Sequence, residues 1–190
     1  MGVLGDSQTA STLYGNWPSD LVGGLNTDYA DTMKFTPENP VLAHSGYDIG
    51  EAAAAIDADL ASHSFSSDVH QYIFFINYGI VRADDETEAN FKSNYQYVID
   101  ALQAKFPGCI IFLTYPAAGT VPTRHAIIEP WIDTLIAGET NVYAGDDESV
   151  WLEGGDDFAT NTYDGVHYSA AGHAAKVIAL RARTLAVLGW

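Results

Sequence analysis

The stretch FKSNYQYVIDALQAKFPGCIIFLT, residues 91–114, carries both kinds of periodicity that an α/β protein needs. Phe91, Tyr95, Val98, Ile99, Leu102 and Phe106 fall at i, i+4, i+7, i+8, i+11 and i+15, one face of an amphipathic helix. Pro107-Gly108 ends that helix, because proline cannot continue it and glycine suits the turn beyond it. Cys109 to Thr114 follows at once, a short apolar run of strand length that reads as buried on both faces.

The same alternation extends in both directions. Four further strands are expected at Met1 to Leu4, Val41 to His44, Tyr72 to Asn77 and Asn141 to Ala144, each rich in β-branched or aromatic residues or in leucine. Glu51 to Leu60 is alanine-rich and helical, Ile127 to Ile136 is helical despite Pro130, and Ser169 caps a last helix running to about Leu188. Strands alternating with helices predict an α/β fold with a mainly parallel sheet, arranged as a three-layer α/β/α sandwich of flavodoxin-like appearance. Residues 1–190 read as one domain, with no internal repeat and no linker.

Composition narrows the function. Apolar residues make up 47% of the chain and charged ones 17%, a packed globular composition rather than a disordered one. A formal charge of −17, with only eight Lys and Arg, repels phosphate backbones and argues against nucleic-acid partners. No run approaches the length of a membrane span, and no leader is visible ahead of Gly5, so either cytosol or secretion after trimming fits. Cys109 is the only cysteine and sits in the apolar strand 109–114, which marks it as a buried core residue.

In a parallel sheet of this kind ligands gather at the carboxyl ends of the strands. Gly5-Asp6-Ser7 follows the first strand, Ser45-Gly46 the second, and Asn77-Tyr78-Gly79 closes the third. A serine hydroxyl becomes a useful nucleophile only with a histidine to take its proton and a carboxylate to orient that histidine. Asp164-Gly165-Val166-His167, directly ahead of the last helix, puts both partners in one loop. The Asp164 carboxylate would bond one ring nitrogen of His167 and leave the other for Ser7.

These blocks, in this order and spanning nearly the whole chain, resemble those of the SGNH (GDSL-type) serine hydrolases. Gly5-Asp6-Ser7 is similar to the family's first block, Ser45-Gly46-Tyr47-Asp48 to its glycine block, and Asp164-Gly165-Val166-His167 to its terminal Asp-x-x-His block. The resemblance implies a five-stranded parallel sheet and a shallow site. Ser7 would be the nucleophile, His167 the base, Asp164 its orienting acid, and the backbone amides of Ser7 and Gly46 oxyanion donors. It also implies an esterase acting on a small-molecule or glycan ester without cofactor or metal. In the absence of a long apolar lid, short acyl chains are expected.

The third block departs from the pattern. Where the family has Gly-x-Asn-Asp, this chain has Gly79-Ile80-Val81-Arg82, and valine cannot donate to an oxyanion. Loss of one such donor costs about 10²–10³ in kcat. Asn77, two residues before the glycine, is the alternative amide if the strand ends early. The competing reading of Val81 is a module that kept the fold and binds a glycan or partner without catalysis.

Other features carry less. The aromatic residues Tyr14, Trp17, Tyr47, Tyr78 and Tyr115 flank strand ends or the Ser7 segment, and Tyr47 and Tyr78 are the candidate substrate-binding residues, with core packing as the equal competitor. Asp84-Asp85-Glu86, Asp146-Asp147-Glu148 and Asp156-Asp157 lack calcium-loop spacing and read as solvated acidic loops. His44, His63, His70, His125 and His173 have no metal-binding spacing, and His173 reads as structural or exposed. No Gly-x-Ser-x-Gly, Walker loop or Gly-x-Gly-x-x-Gly occurs.

Overall fold

A computed structural model describes residues 1–5, 17–28, 41–63, 71–78, 86–116, 123–152, 157–165 and 167–189. Five strands, β1 (Gly2–Gly5), β2 (Val41–Ala43), β3 (Ile73–Asn77), β4 (Ile110–Tyr115) and β5 (Val142–Asp147), form one sheet in the order β2-β1-β3-β4-β5. Every neighbouring pair is parallel, with Gly5 level with Ala43 on one side and Asn77 on the other. All five expected strands are present, shifted by one residue in places and extended to Asp147 at the end of β5.

The helices in chain order are α1 (Trp17–Asp28), α2 (Ile49–Ser62), α3 (Glu88–Lys105), α4 (Thr123–Gly138), the short α5 (Glu148–Leu152) and α6 (Asp157–Asn161), and α7 (Ala170–Leu188). The helix read from residues 91–106 is α3; its stripe Phe91, Tyr95, Val98, Ile99 and Leu102 is buried, and Thr87 caps it. Ser169 caps α7 as expected, its side chain accepting from the Gly172 amide. α1 was not foreseen. Its Trp17, Leu21 and Leu25 are buried, so Trp17 is a core residue rather than part of a pocket rim.

Strand alternation sorts the core into two halves. Phe74 and Ile76 of β3, with Ile111 and Leu113 of β4, face α2, α3 and α4, whereas Ile73, Phe75, Ile110 and Phe112 face α1 and α7. Each fully buried Leu, Ile or Phe contributes about 1.5–3 kcal/mol from water exclusion, and both halves are made of such residues next to the sheet. No described helix is long and apolar enough to cross a membrane.

The strand order reverses between β1 and β3, since the chain moves outward to β2 on one side and to β3, β4 and β5 on the other. A crevice forms at the carboxyl edge of such a switch point. Gly5 and Asn77 lie side by side there, and the chain leaves β1 toward Asp6 and Ser7.

Candidate active site

Two stretches of described chain border the switch point. After β2, the Tyr47 amide bonds the His44 carbonyl at 3.2 Å and Gly46 sits at φ +80°, a left-handed conformation that favours glycine. The His44 amide in turn donates to the Gly5 carbonyl at 2.9 Å, which ties this turn to the end of β1. Asp48 then starts α2 through a reciprocal capping box with Glu51. Gly50 lies within the first turn of α2, where an added Cβ would press the Asn94 amide and Asp48 carboxylate.

The second stretch is the loop from Asn161 to Ser169. Thr162 and Tyr168 pair across it in an antiparallel bridge, and the Tyr163 amide bonds the His167 carbonyl at 3.1 Å. At its base the Ser169 amide bonds the Asn161 carbonyl at 2.8 Å, and the Ser169 hydroxyl donates to the Thr160 carbonyl at 2.6 Å. Gly165 turns the tip at φ +81°. At that tip one oxygen of Asp164 accepts from the His167 backbone amide at 2.7 Å, and the other lies 2.7 Å from His167 Nδ1.

Because Asp164 can only accept when ionised, the pairing places the proton on Nδ1 and leaves Nε2 as the basic nitrogen. The His167 side chain is 27% exposed, so the imidazole is partly in contact with solvent. Tyr163 stacks on the imidazole, with ring centres 5.6 Å apart and 20° between planes, and restrains its tilt. The structure thus brings together Asp164 and His167 as the sequence suggested.

Ser7, with Asp6, lies outside the described residues, as do Val81 and Tyr14. Asn77 is 2% exposed at the end of β3, and its Nδ2 points at the Tyr168 hydroxyl, 3.4 Å away. Tyr78 corrects the sequence reading. It is 1% exposed and its hydroxyl donates to the Leu42 carbonyl, so it packs the core and presents no surface to a substrate. Tyr47 is half-buried and stacks on His44, with ring centres 4.5 Å apart; Tyr115 is half-buried and its hydroxyl donates to Asp133 at 2.6 Å.

The acidic run at the end of β5 also corrects the reading. Asp147 does face outward, accepting from the amide and hydroxyl of Ser149 at 3.0 and 2.7 Å, but Asp146 and Glu148 are fully buried. They meet the ammonium of Lys176, which has no exposed surface: Glu148 at 2.6 Å, and the two oxygens of Asp146 at 3.2 and 3.1 Å. Thr114 donates to Asp146 at 2.9 Å, and the Tyr168 hydroxyl donates to Glu148.

Burial pushes the Asp146 carboxyl up, and the Lys176 charge only partly offsets it. For Lys176, burial acts to lower the ammonium, but Asp146 and Glu148 together more than reverse that and hold it charged. Burial, reinforced by the two carboxylates, carries the Tyr168 phenol well above its ordinary value and keeps it a donor. His173, expected as structural or exposed, is buried against the edge of Tyr168, and burial lowers its imidazole below the ordinary range.

Sequence reasoning missed Tyr163, Tyr168, Gly172 and the Lys176 cluster. A signal for the last existed. Gly172, His173, Lys176, Leu180 and Thr184 form the buried stripe of α7, so helical periodicity alone puts a lysine on the inward face. Among the described residues, no group of three His, Cys, Asp or Glu side chains is placed to hold a metal ion.

At the level of sequence, no family model matches the chain and no curated protein does. Solved structures share its fold. A lipase/acylhydrolase from Enterococcus faecalis superposes with a TM-score of 0.70 at 18% identity, over 97% of this chain and 94% of that one. A carbohydrate esterase family 3 protein from Talaromyces cellulolyticus gives a TM-score of 0.69 at 14% identity, over 100% and 98% of the two chains. The family 3 carbohydrate esterase of Clostridium thermocellum gives 0.65 at 20% identity, over 97% and 94%. The five-stranded parallel α/β architecture is therefore a fold shared with these solved esterases and the acylhydrolase.

Proposed function

We propose that the chain is a serine esterase of the GDSL type that cleaves short-chain acyl esters, with Ser7 as nucleophile, His167 as general base and Asp164 as its orienting carboxylate. The observation that carries this reading is the Asp164–His167 pair, bonded at 2.7 Å through Nδ1, at the carboxyl edge of a fold shared with esterases. Gly5 ends β1 at the β1/β3 switch point, and Ser7 follows it by two residues in the sequence, which supports its role.

In this mechanism Nε2 of His167 takes the Ser7 proton as Oγ attacks the ester carbonyl. The charge that develops on the carbonyl oxygen meets the backbone amides of Ser7 and Gly46, and the left-handed turn at Gly46 supports such a presentation. His167 then protonates the leaving alcohol, and Asp164 stabilises the imidazolium throughout. Water, activated by the same nitrogen, releases the acid from the acyl-enzyme. As a third donor Asn77 has its place beside Gly5 in its favour, while its burial and its contact with Tyr168 favour a supporting role instead.

The alcohol half of the substrate is proposed to be a sugar, which makes the chain a carbohydrate O-acetyl esterase. Its fold neighbours include proteins described as carbohydrate esterases and an acetyl esterase, and half-buried Tyr47 lies on the turn that carries Gly46. A second reading, a glycan- or partner-binding module without catalysis, is motivated by Val81 in the place of an amide donor.

Hydrolysis of p-nitrophenyl acetate, butyrate and octanoate by wild type and Ser7→Ala separates the two. Activity on the acetate that disappears with Ser7→Ala, together with labelling of Ser7 by a fluorophosphonate, supports the esterase. Equal inactivity of both proteins on these esters and on acetylated oligosaccharides, with no labelling, leaves the binding module.

A further inference from the structure

The buried polar cluster behind the Asp164–His167 loop takes no part in the chemistry above, and stability does not account for it. Lys176, Asp146 and Glu148 have been taken wholly out of water. Removing ions from water costs about as much as their pairing returns, so apolar replacements of such clusters are often neutral or stabilising. What saturated charged hydrogen bonds do supply is direction, since each fixes an angle and a distance that apolar packing leaves loose.

The direction here converges on Tyr168. Its hydroxyl donates to Glu148 at the start of α5, which is held by Lys176 of α7, which is held by Asp146 at the end of β5, itself tied to Thr114 of β4. From the other side the Asn77 amide at the end of β3 reaches the same hydroxyl. Tyr168 is the residue after His167 and closes the bridge with Thr162. We propose that Tyr168 and the Glu148–Lys176–Asp146 cluster are positioning residues, a buried strut that sets how far the Asp164–His167 loop stands from the ends of β3 and β5.

This inference rests on the reading of His167 as general base. A displacement of about 1 Å at a reacting group costs about 10²-fold in rate, so a strut that fixes the loop is read in kcat rather than KM. Tyr168→Phe removes one oxygen from the strut. It is expected to lower kcat on p-nitrophenyl acetate about tenfold or more with KM within about twofold, and to speed amide hydrogen exchange over residues 163–169 while the melting temperature stays close to wild type.

Glu148→Gln keeps an acceptor for the phenol and is expected to retain most of kcat, whereas Glu148→Leu loses it. Unchanged kcat and unchanged exchange in folded Tyr168→Phe and Glu148→Leu overturn the strut. So does a Glu148→Gln variant as impaired as Glu148→Leu. The exchange measurement does not depend on esterase activity. If wild type hydrolyses nothing and Ser7 is not labelled, the proposed function fails, and loop exchange in Tyr168→Phe still decides for or against the strut.

Discussion

The two faces of the sheet are built on different terms. Under α2, α3 and α4 the core is an apolar mass in which Leu4, Phe74, Ile76, Ile111 and Leu113 meet Ile56, Tyr95, Val98 and Ile132. Under α1 and α7 an apolar layer of Phe75, Phe112, Leu21 and Leu180 gives way to Lys176, Asp146, Glu148, Tyr168 and His173. Apolar contacts are non-directional and tolerate repacking; buried hydrogen bonds to charges are directional and do not. The first face therefore supplies cohesion, and the second fixes geometry below the loop that carries His167.

Phe74→Ala gives the largest expected effect and tests the first half of that contrast. The side chain is fully buried among Phe106 and Tyr72, and its truncation costs about 3–5 kcal/mol. At about 2–4 °C per kcal/mol for a domain of this size, thermal melting reads the loss directly. Activity per folded molecule, measured well below the melting point, should stay near wild type; a proportionate fall in kcat would break the division of labour between the faces.

Gly172→Ala is next and tests the second face. A Cβ at 172 would lie 2.1 Å from the Asn161 carbonyl oxygen, closer than a non-bonded carbon can approach, so α6 and α7 must separate. Overpacking of this kind costs about 1–3 kcal/mol. Asn161 also accepts the Ser169 amide at the base of the His167 loop, so here kcat should fall further than the melting temperature suggests. Melting and initial-rate measurements on the same preparation compare the two losses.

The contrast also separates what the sequence made legible from what it hid. The apolar face was readable because its signal is periodic: the stripe from Phe91 to Leu102 and the run 109–114 specify helix and strand without any knowledge of partners. The Asp164–His167 pair was readable because both groups lie in one short loop. The strut was not, because Asn77, Thr114, Asp146, Glu148, Tyr168 and Lys176 are scattered through the chain and meet only when β3, β4, β5 and α7 pack. Acidic residues at a strand end look like a solvated loop until the lysine facing them is known. Tyr78 was misjudged for a related reason, since a tyrosine at a strand end is equally suited to a rim and to a core with one carbonyl in reach.

His173 sharpens the comparison through pH. Its folded-state value is lowered from 6.5, chiefly by burial, with Asp20 opposing and Lys176 assisting. Between the lowered value and 6.5 the unfolded chain binds the proton and the folded chain does not, so stability falls as pH drops through that window and is full above it. The difference in unfolding free energy between wild type and His173→Phe, followed by urea titration from neutral pH downward, should shift in favour of the variant as the pH falls. A difference constant with pH would mean that His173 is not held neutral.

Cys109 supplies the matching and smallest effect on the apolar face. It is 2% exposed at the foot of β4, and burial pushes its thiol up to about 11. A thiolate is the reactive form, so at pH 8 the folded protein should resist a disulfide reagent that reacts at once after denaturation in urea. The thiol here behaves as a small apolar group, packed with Leu102, Phe106 and their neighbours. Cys109→Ala should then cost less stability than Cys109→Ser, because serine matches the volume but brings a hydroxyl into a place where apolar side chains offer it no partner. The reverse order would mean that directed polar contacts on this face extend beyond the Tyr78 and Tyr95 hydroxyls, and the difference between the two sides of the sheet would be one of degree.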